Sequence, residues 1–389
     1  MTSTNSPQQP TAAPTPIALG ERPLTIAEVV QVARHRAPVV IAETARGRML
    51  RAREAVEELA AADTPAYGVS TGFGALADRK IDVSARTRLR ASLVRSHAAG
   101  TGAEVEEETV RAMMLLRLQT LTTGRTGVRP EVAERYVTLL NEVLTPIVHE
   151  NGSLGCSGDL APLAHCALAV IGEGEVRDRD GNLLDSAAAL ADAGSSPVVL
   201  EAKEGLSLIN GTDGMLGMLA LSIHDLREAS RAVDVSAAMS IEALLGTDRV
   251  FEAALHEVRP HPGQQASARN LSKLLAGSAI VASHRGADCT VVQDAYSLRC
   301  APQVAGAFRA TLTHAESVAG IELASAVDNP VVLDDGRVES NGNFHGAPVG
   351  YVLDFLAIAA ADLASMSERR TDRLLDPARS HGLPAFLGA

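Results

Sequence analysis

The sequence predicts a mainly α-helical protein, and three observations carry that expectation. Ala, Leu and Val dominate, aromatic residues make up 3% and Trp is absent, which suits packed helices better than a sheet sandwich. Helix start signals recur along the chain, whereas no βα pattern repeats. At 389 residues there is material for two or three folding units, each with a sizeable core.

Taken in order, residues 1–22 are polar and Pro-rich, without the basic start or apolar centre of a secretory signal, and read as a disordered arm. Residues 23–200 read as a mixed N-terminal region. Within it Thr25-Ile26-Ala27-Glu28 is a capping box, and Pro130 opens a helix with Val132, Tyr136, Leu139 and Val143 on one face. Asp159 and Pro162 suit the first turn of another helix. "VRDRDGNLL" and "VVLDDGRVES" each place Asp-Gly between short runs, the signal of a small hairpin. Residues 201–389 read as a central helical bundle whose C-terminal end looks incomplete. There, Met215–Leu226 and Val349–Met366 are apolar over more than one stripe, as helices of a multi-helix core are. Asp354 and Asp362 interrupt the second run, which argues for a bundle or subunit interface rather than a membrane span.

Several function classes fall away. A net charge of −12 argues against a nucleic-acid surface, which would need clustered Lys and Arg. The four cysteines, Cys156, Cys166, Cys289 and Cys300, show neither C-x-x-C nor zinc-site spacing, which fits a reducing cytoplasm and no metal. Neither phosphate-binding glycine motif occurs, nor does H-E-x-x-H.

Chemistry concentrates in "NGSLGCSGDLAPLAH". The order Gly155-Cys156-Ser157-Gly158 does not match the nucleophile elbow G-x-S-x-G. A tight glycine-rich loop before a helix is the plain reading. The other is backbone cyclisation: Gly158, lacking Cβ, lets its nitrogen approach the Cys156 carbonyl carbon. That nitrogen bonds to the carbon, the oxygen leaves as water, and Ser157 loses its hydroxyl and Cα hydrogen as a second water. The product is a methylidene-imidazolone, an electrophile built from backbone alone.

This stretch resembles the signature of the aromatic amino acid ammonia-lyases, and within them the histidine-specific branch. "YGVSTGFG", "RSHAAGTG", "KEGLSLINGT", "VQDAYSLRCAPQV", "DNPVV" and "NGNFHGAPV" are similar to further blocks of that family, in the family's order, over roughly Pro23 to the last residue. The family's usual triad begins with Ala; here Cys156 stands first, contributing only its carbonyl carbon to the ring.

The resemblance implies a fumarase/aspartase-like bundle of long helices, a 4-methylidene-imidazol-5-one formed autocatalytically from Cys156, Ser157 and Gly158, no external cofactor, and a cytoplasmic homotetramer with sites shared between subunits. It implies Tyr67 as the base for the β-proton, Asn210 as hydrogen-bond partner of the ring or amine, and Phe344 beside the ring. Gln293, Tyr296 and Arg299 would reach a neighbouring subunit's site, with Arg299 gripping the substrate carboxylate. Ser96-His97 resembles the histidine-specific form, in which His97 exchanges a hydrogen bond with a substrate imidazole. The implied reaction is L-histidine to urocanate and ammonia, the first step of histidine breakdown. The alternatives are phenylalanine or tyrosine ammonia-lyase or 2,3-aminomutase chemistry, or a truncated relative that only assembles. A family block with a Gln-Glu pair, expected further along, is absent from the chain.

Overall fold

The computed structural model describes residues 15–62, 68–69, 83–286 and 291–388, excepting the side chains of 83–88. Helices dominate, and the strands are short ribbons of two or three members. The chain divides into two units: residues 1–218 with 323–346, and residues 219–322 with 347–389. The first break thus falls after Met218, and the 323–346 segment returns to the first unit.

The centre of the first unit is the helix Glu107–Thr122, buried without interruption from Val110 to Thr122. A helix buried all round needs its charges satisfied internally. Arg111, fully buried, donates to the carbonyls of Val32 and Leu140, near the C-terminal ends of helices Ile26–Ala33 and Pro130–Asn141. A cation there meets the negative end of each helix. Burial pulls the Arg111 guanidinium down to about 10.

The capping box is as expected, with Thr25 and Glu28 exchanging side-chain and backbone hydrogen bonds. Both Asp-Gly hairpins form, pairing Glu175–Arg177 with Leu183–Asp185 and Val331–Val332 with Val338–Glu339. Two expectations are corrected. Residues 15–22 are not a disordered arm: Ile17–Leu19 pairs in parallel with Val39–Ile41, Leu19 is fully buried, and the Gly20 amide donates to Gln119 Oε1. Three apolar residues with a partner strand suffice to seat a segment that is otherwise polar.

The second correction concerns the multi-helix-core reading of the helix Ala347–Leu375, whose buried residues are Val349, Val352, Leu356, Leu363 and Arg370. Tyr351, Phe355 and Ile358 are exposed, so this helix is not enclosed by its own chain. Of the run from Met215, in helix Asp213–Ala243, Met215, Leu216, Leu219, Ala220, Leu221 and Ile223 are buried as expected, while Met218 is exposed. Both helices are long and apolar enough to cross a membrane by length and composition.

Among the described residues the regular elements of the second unit are all helices. Its core gathers Ile241, Leu244, Phe251, Leu271, Leu275 and Leu298. Asp234, nearly fully buried, accepts from Ser267 Oγ at 2.6 Å, Asn270 Nδ2 at 2.7 Å and Arg309 Nη2 at 2.7 Å. One carboxylate thereby ties helices Asp213–Ala243, Pro262–Leu274 and Ala301–Leu323 together.

Candidate active site

In the first unit the Cys156-Ser157-Gly158 stretch is a tight turn. Gly155 and Gly158 both adopt positive φ, +70° and +79°, and face each other as an isolated bridge, with the Gly158 amide donating to the Gly155 carbonyl. Cys156 is exposed, Ser157 half-buried and Gly158 buried. A methyl group on Gly158 would lie 2.4 Å from the Gly211 carbonyl oxygen and 3.3 Å from that of Phe344. Only glycine fits here, by backbone angle and by space. Ring closure requires a small triad held in a tight turn, and this one is pinned between two other segments, so the residues present fit the group.

Two segments hold the turn. The Asp159 amide donates to the Gly211 carbonyl at 2.7 Å, and the Gly346 amide donates to the Gly155 carbonyl at 2.8 Å. Asp159 itself corrects an expectation. It precedes the helix Leu160–Val170, yet its side chain does not cap that helix. Its carboxylate instead accepts the amides of Gly214 at 2.9 Å and Met215 at 3.0 Å, the first-turn donors of helix Asp213–Ala243, and the Ser153 hydroxyl at 2.8 Å. Burial raises the Asp159 carboxyl, against the lowering effect of these donors. Two helix N-termini, at Leu160 and Asp213, thus adjoin the turn, a favourable setting for negative charge.

Asn210 is buried at the end of the short helix Glu204–Ile209, and its Nδ2 donates to the Asn329 carbonyl at 2.9 Å. Phe344 is half-buried in the segment that returns to Gly155. His97 ends the helix Val83–His97, which packs on helices Leu160–Val170 and Glu204–Ile209. Its Nδ1 lies 2.9 Å from the Leu93 carbonyl and 3.1 Å from Ser96 Oγ. A carbonyl only accepts, so Nδ1 carries the proton and Nε2 is left as the acceptor of the neutral ring. Tyr67 lies outside the described residues.

Behind the turn stands a set of buried charges that sequence reasoning missed. Arg117, fully buried, donates through Nη2 to the Val327 carbonyl at 2.8 Å and places Nη1 3.4 Å from Asp213 Oδ2. A methyl group on Gly211 would strike both, at 2.2 Å from Asp213 Oδ2 and 2.5 Å from Arg117 Nη1. Burial lifts the Asp213 carboxyl to about 6, with Arg117 opposing. Beside them lie Lys203 and Asp328, both buried, 2.5 Å apart. Arg117 carried a signal: an arginine inside the apolar run "AMMLLRLQTL" needs an internal partner.

In the second unit, Tyr296 and Arg299 share one helical turn, the guanidinium 4.5 Å from the centre of the exposed phenol ring. Arg299 Nε donates to the Asp294 carbonyl. Gln293 is exposed and lines a cavity with Thr247, His284 and Asp294. Among the described residues no cluster has the make-up of a metal site.

The model of the family described as aromatic amino acid lyase matches residues 24–389. The chain belongs to this family. Among aromatic amino acid lyases it is 60% identical to a histidine ammonia-lyase of Streptomyces griseus, over 95% of this chain and 72% of that one, and 58% identical to one of Streptomyces coelicolor over the same shares. Among solved structures, a tyrosine aminomutase from Streptomyces globisporus matches with a TM-score of 0.88 at 39% identity, covering 95% of this chain and 73% of that one. A histidine ammonia-lyase from Trypanosoma cruzi matches with a TM-score of 0.85 at 35% identity, covering 96% of this chain and 70% of that one.

Proposed function

We propose that this aromatic amino acid lyase is a cytoplasmic histidine ammonia-lyase, releasing ammonia from L-histidine to give urocanate. The observation that carries the reading is the 60% identity to a histidine ammonia-lyase over 95% of the chain, with Cys156-Ser157-Gly158 in a glycine-framed turn. The methylidene-imidazolone from those three residues supplies an electrophile that activates the substrate for loss of its amine.

The remaining roles fall to side chains. Tyr67 takes the β-proton, which requires surroundings that favour its phenolate, since a free tyrosine ionises near pH 10. His97 presents Nε2 to the N–H of the substrate imidazole, a bond that a phenylalanine ring cannot return. Asn210 meets the amine, Phe344 packs beside the ring, and Arg299 holds the carboxylate, with Gln293 and Tyr296 alongside. We assign the last three to a neighbouring subunit's site, in a homotetramer.

The test begins with the intact mass of the purified chain beside its Ser157→Ala variant. Loss of two water molecules by the parent alone is expected, followed by urocanate formation from L-histidine. An unshifted parent mass overturns the chemistry; faster turnover of L-phenylalanine or L-tyrosine overturns the substrate. The 39% identity to a tyrosine aminomutase favours a second reading, for which β-tyrosine among the products of L-tyrosine would be the mark.

A further inference from the structure

Lys203 is a buried cation with no role in the chemistry above. It sits in the left-handed backbone region, φ +68°, which costs a non-glycine residue energy that the surroundings must repay. Its ammonium is saturated: Nζ donates to the Thr126 carbonyl at 2.8 Å, Ser207 Oγ at 2.7 Å and Asp328 Oδ2 at 2.5 Å. Ser207 Oγ in turn lies 2.9 Å from Asp328 Oδ2, and both side chains of the ion pair are wholly buried.

What the pair holds is Asn329. Asp328 Oδ1 accepts the Asn329 amide at 2.8 Å, and the Asp328 carbonyl accepts Asn341 Nδ2 at 3.0 Å. Asn329 then serves two neighbours at once. Its carbonyl accepts Asn210 Nδ2, and its side-chain Oδ1 accepts the Asn341 amide at 2.9 Å and Ser340 Oγ at 3.1 Å. Residues 340–346 run on from there to Phe344 and to the Gly346 amide that binds Gly155. Since a carbonyl only accepts, its contact with Asn210 decides the amide's orientation: Nδ2 toward Asn329, Oδ1 away from it.

We propose that Lys203 is a positioning residue of this active site, acting through Asp328 and Asn329 to set the orientation of the Asn210 amide and to anchor the 340–346 segment against the prosthetic-group turn. The proposal rests on the lyase reading. Lys203 touches none of the reacting groups; it fixes two segments that do.

The experiment is a double-mutant cycle between Lys203→Met and Asn210→Ala, read as kcat and KM for L-histidine well below the melting temperature, with intact mass reporting the ring. Lys203→Met is expected to lower kcat by about 10- to 100-fold with KM little changed and the two waters still lost, because misplacement of a group costs that much in rate. In the Asn210→Ala background the same change is expected to cost little further, since the group it positions is gone. An equal fall in both backgrounds, or a lower melting temperature with kcat unchanged, overturns the proposal. If Lys203→Met does not fold, Asp328→Asn keeps the shape and the neutral hydrogen bonds while removing the counter-charge, and the same cycle is run with it. If the parent itself has no activity, the lyase reading fails separately. Hydrogen exchange of the 338–346 peptide then decides: faster exchange in Lys203→Met supports the anchor, and unchanged exchange overturns it.

Discussion

Replacing Asp159 by Ala tests whether a single carboxylate joins the prosthetic-group turn to the long helix behind it. Asp159 is 1% exposed and accepts three hydrogen bonds, from the Gly214 and Met215 amides and the Ser153 hydroxyl. Ala leaves two helix N-terminal donors and one hydroxyl without this acceptor. Loss of a cap costs about 1–2 kcal/mol, and each buried donor left bare about 1 kcal/mol or more, together roughly 3 kcal/mol. Against this, the variant no longer desolvates a carboxylate, the effect that raises the Asp159 pKa, so the net loss is about 2 kcal/mol. For a unit of this size that corresponds to a fall in Tm of about 4 °C. The assay is calorimetric unfolding of the parent, Asp159→Ala and Asp159→Asn. An asparagine can turn its oxygen to the two amides and donate to Ser153, so Asn is expected to lose less than half as much as Ala. Equal losses, or an Ala shift below about 1 °C, would refute the capping argument.

Gly211→Ala drives a methyl group to 2.2 Å from Asp213 Oδ2 and 2.5 Å from Arg117 Nη1, so it is expected to cost at least about 3 kcal/mol and to reduce ring formation. A Tm within about 1 °C of the parent's and a complete loss of two waters would contradict the close packing behind the turn. Asp213, held up at about 6 against 3.8 by burial, keeps its proton between about pH 4 and pH 6 in the folded chain while the unfolded chain has released it. Stability from this group is therefore present at low pH and lost as pH rises through 6, by up to roughly 3 kcal/mol. Urea midpoints at several pH values should show that slope in the difference between the parent and Asp213→Asn, and an unchanged difference would sink it.

Local signals were legible in the sequence. The Thr25–Glu28 box and both Asp-Gly hairpins formed as read, since their hydrogen bonds close within a few residues. The turn at Cys156–Gly158 was legible because glycines on both sides leave few other conformations. Asp159 was misread for the opposite reason: the capping rule looks three residues ahead, and this carboxylate instead reaches amides 55 and 56 residues away. Residues 15–22 were misread on composition, although Ile17–Leu19 pairs with a partner strand and Leu19 reaches the core. The exposure of Tyr351, Phe355 and Ile358 was not legible, because an apolar stripe states what a helix can cover and not what lies opposite it.

The buried charges were the least legible part, and their arrangement explains why they are there. Arg117, Asp159, Lys203, Asp213 and Asp328 are each 5% exposed or less, within one unit. Well-packed apolar residues would often be as stabilising as buried ion pairs, so net stability is a weak reason to keep five such groups. Their partners give a better one. Arg117 holds the Val327 carbonyl, Asp159 the amides of Gly214 and Met215, Lys203 the Thr126 carbonyl, and Asp328 the Asn329 amide. All but the last of these bonds cross between distant stretches of sequence, and Asp328 and Asn329 in turn fix Asn210 and the segment that runs to Gly346, which binds the Cys156-Ser157-Gly158 turn. A leucine could fill the same space but could not select which carbonyl faces which amide. What the buried charges add is a single geometry for a turn whose proposed reaction requires its own backbone atoms to meet.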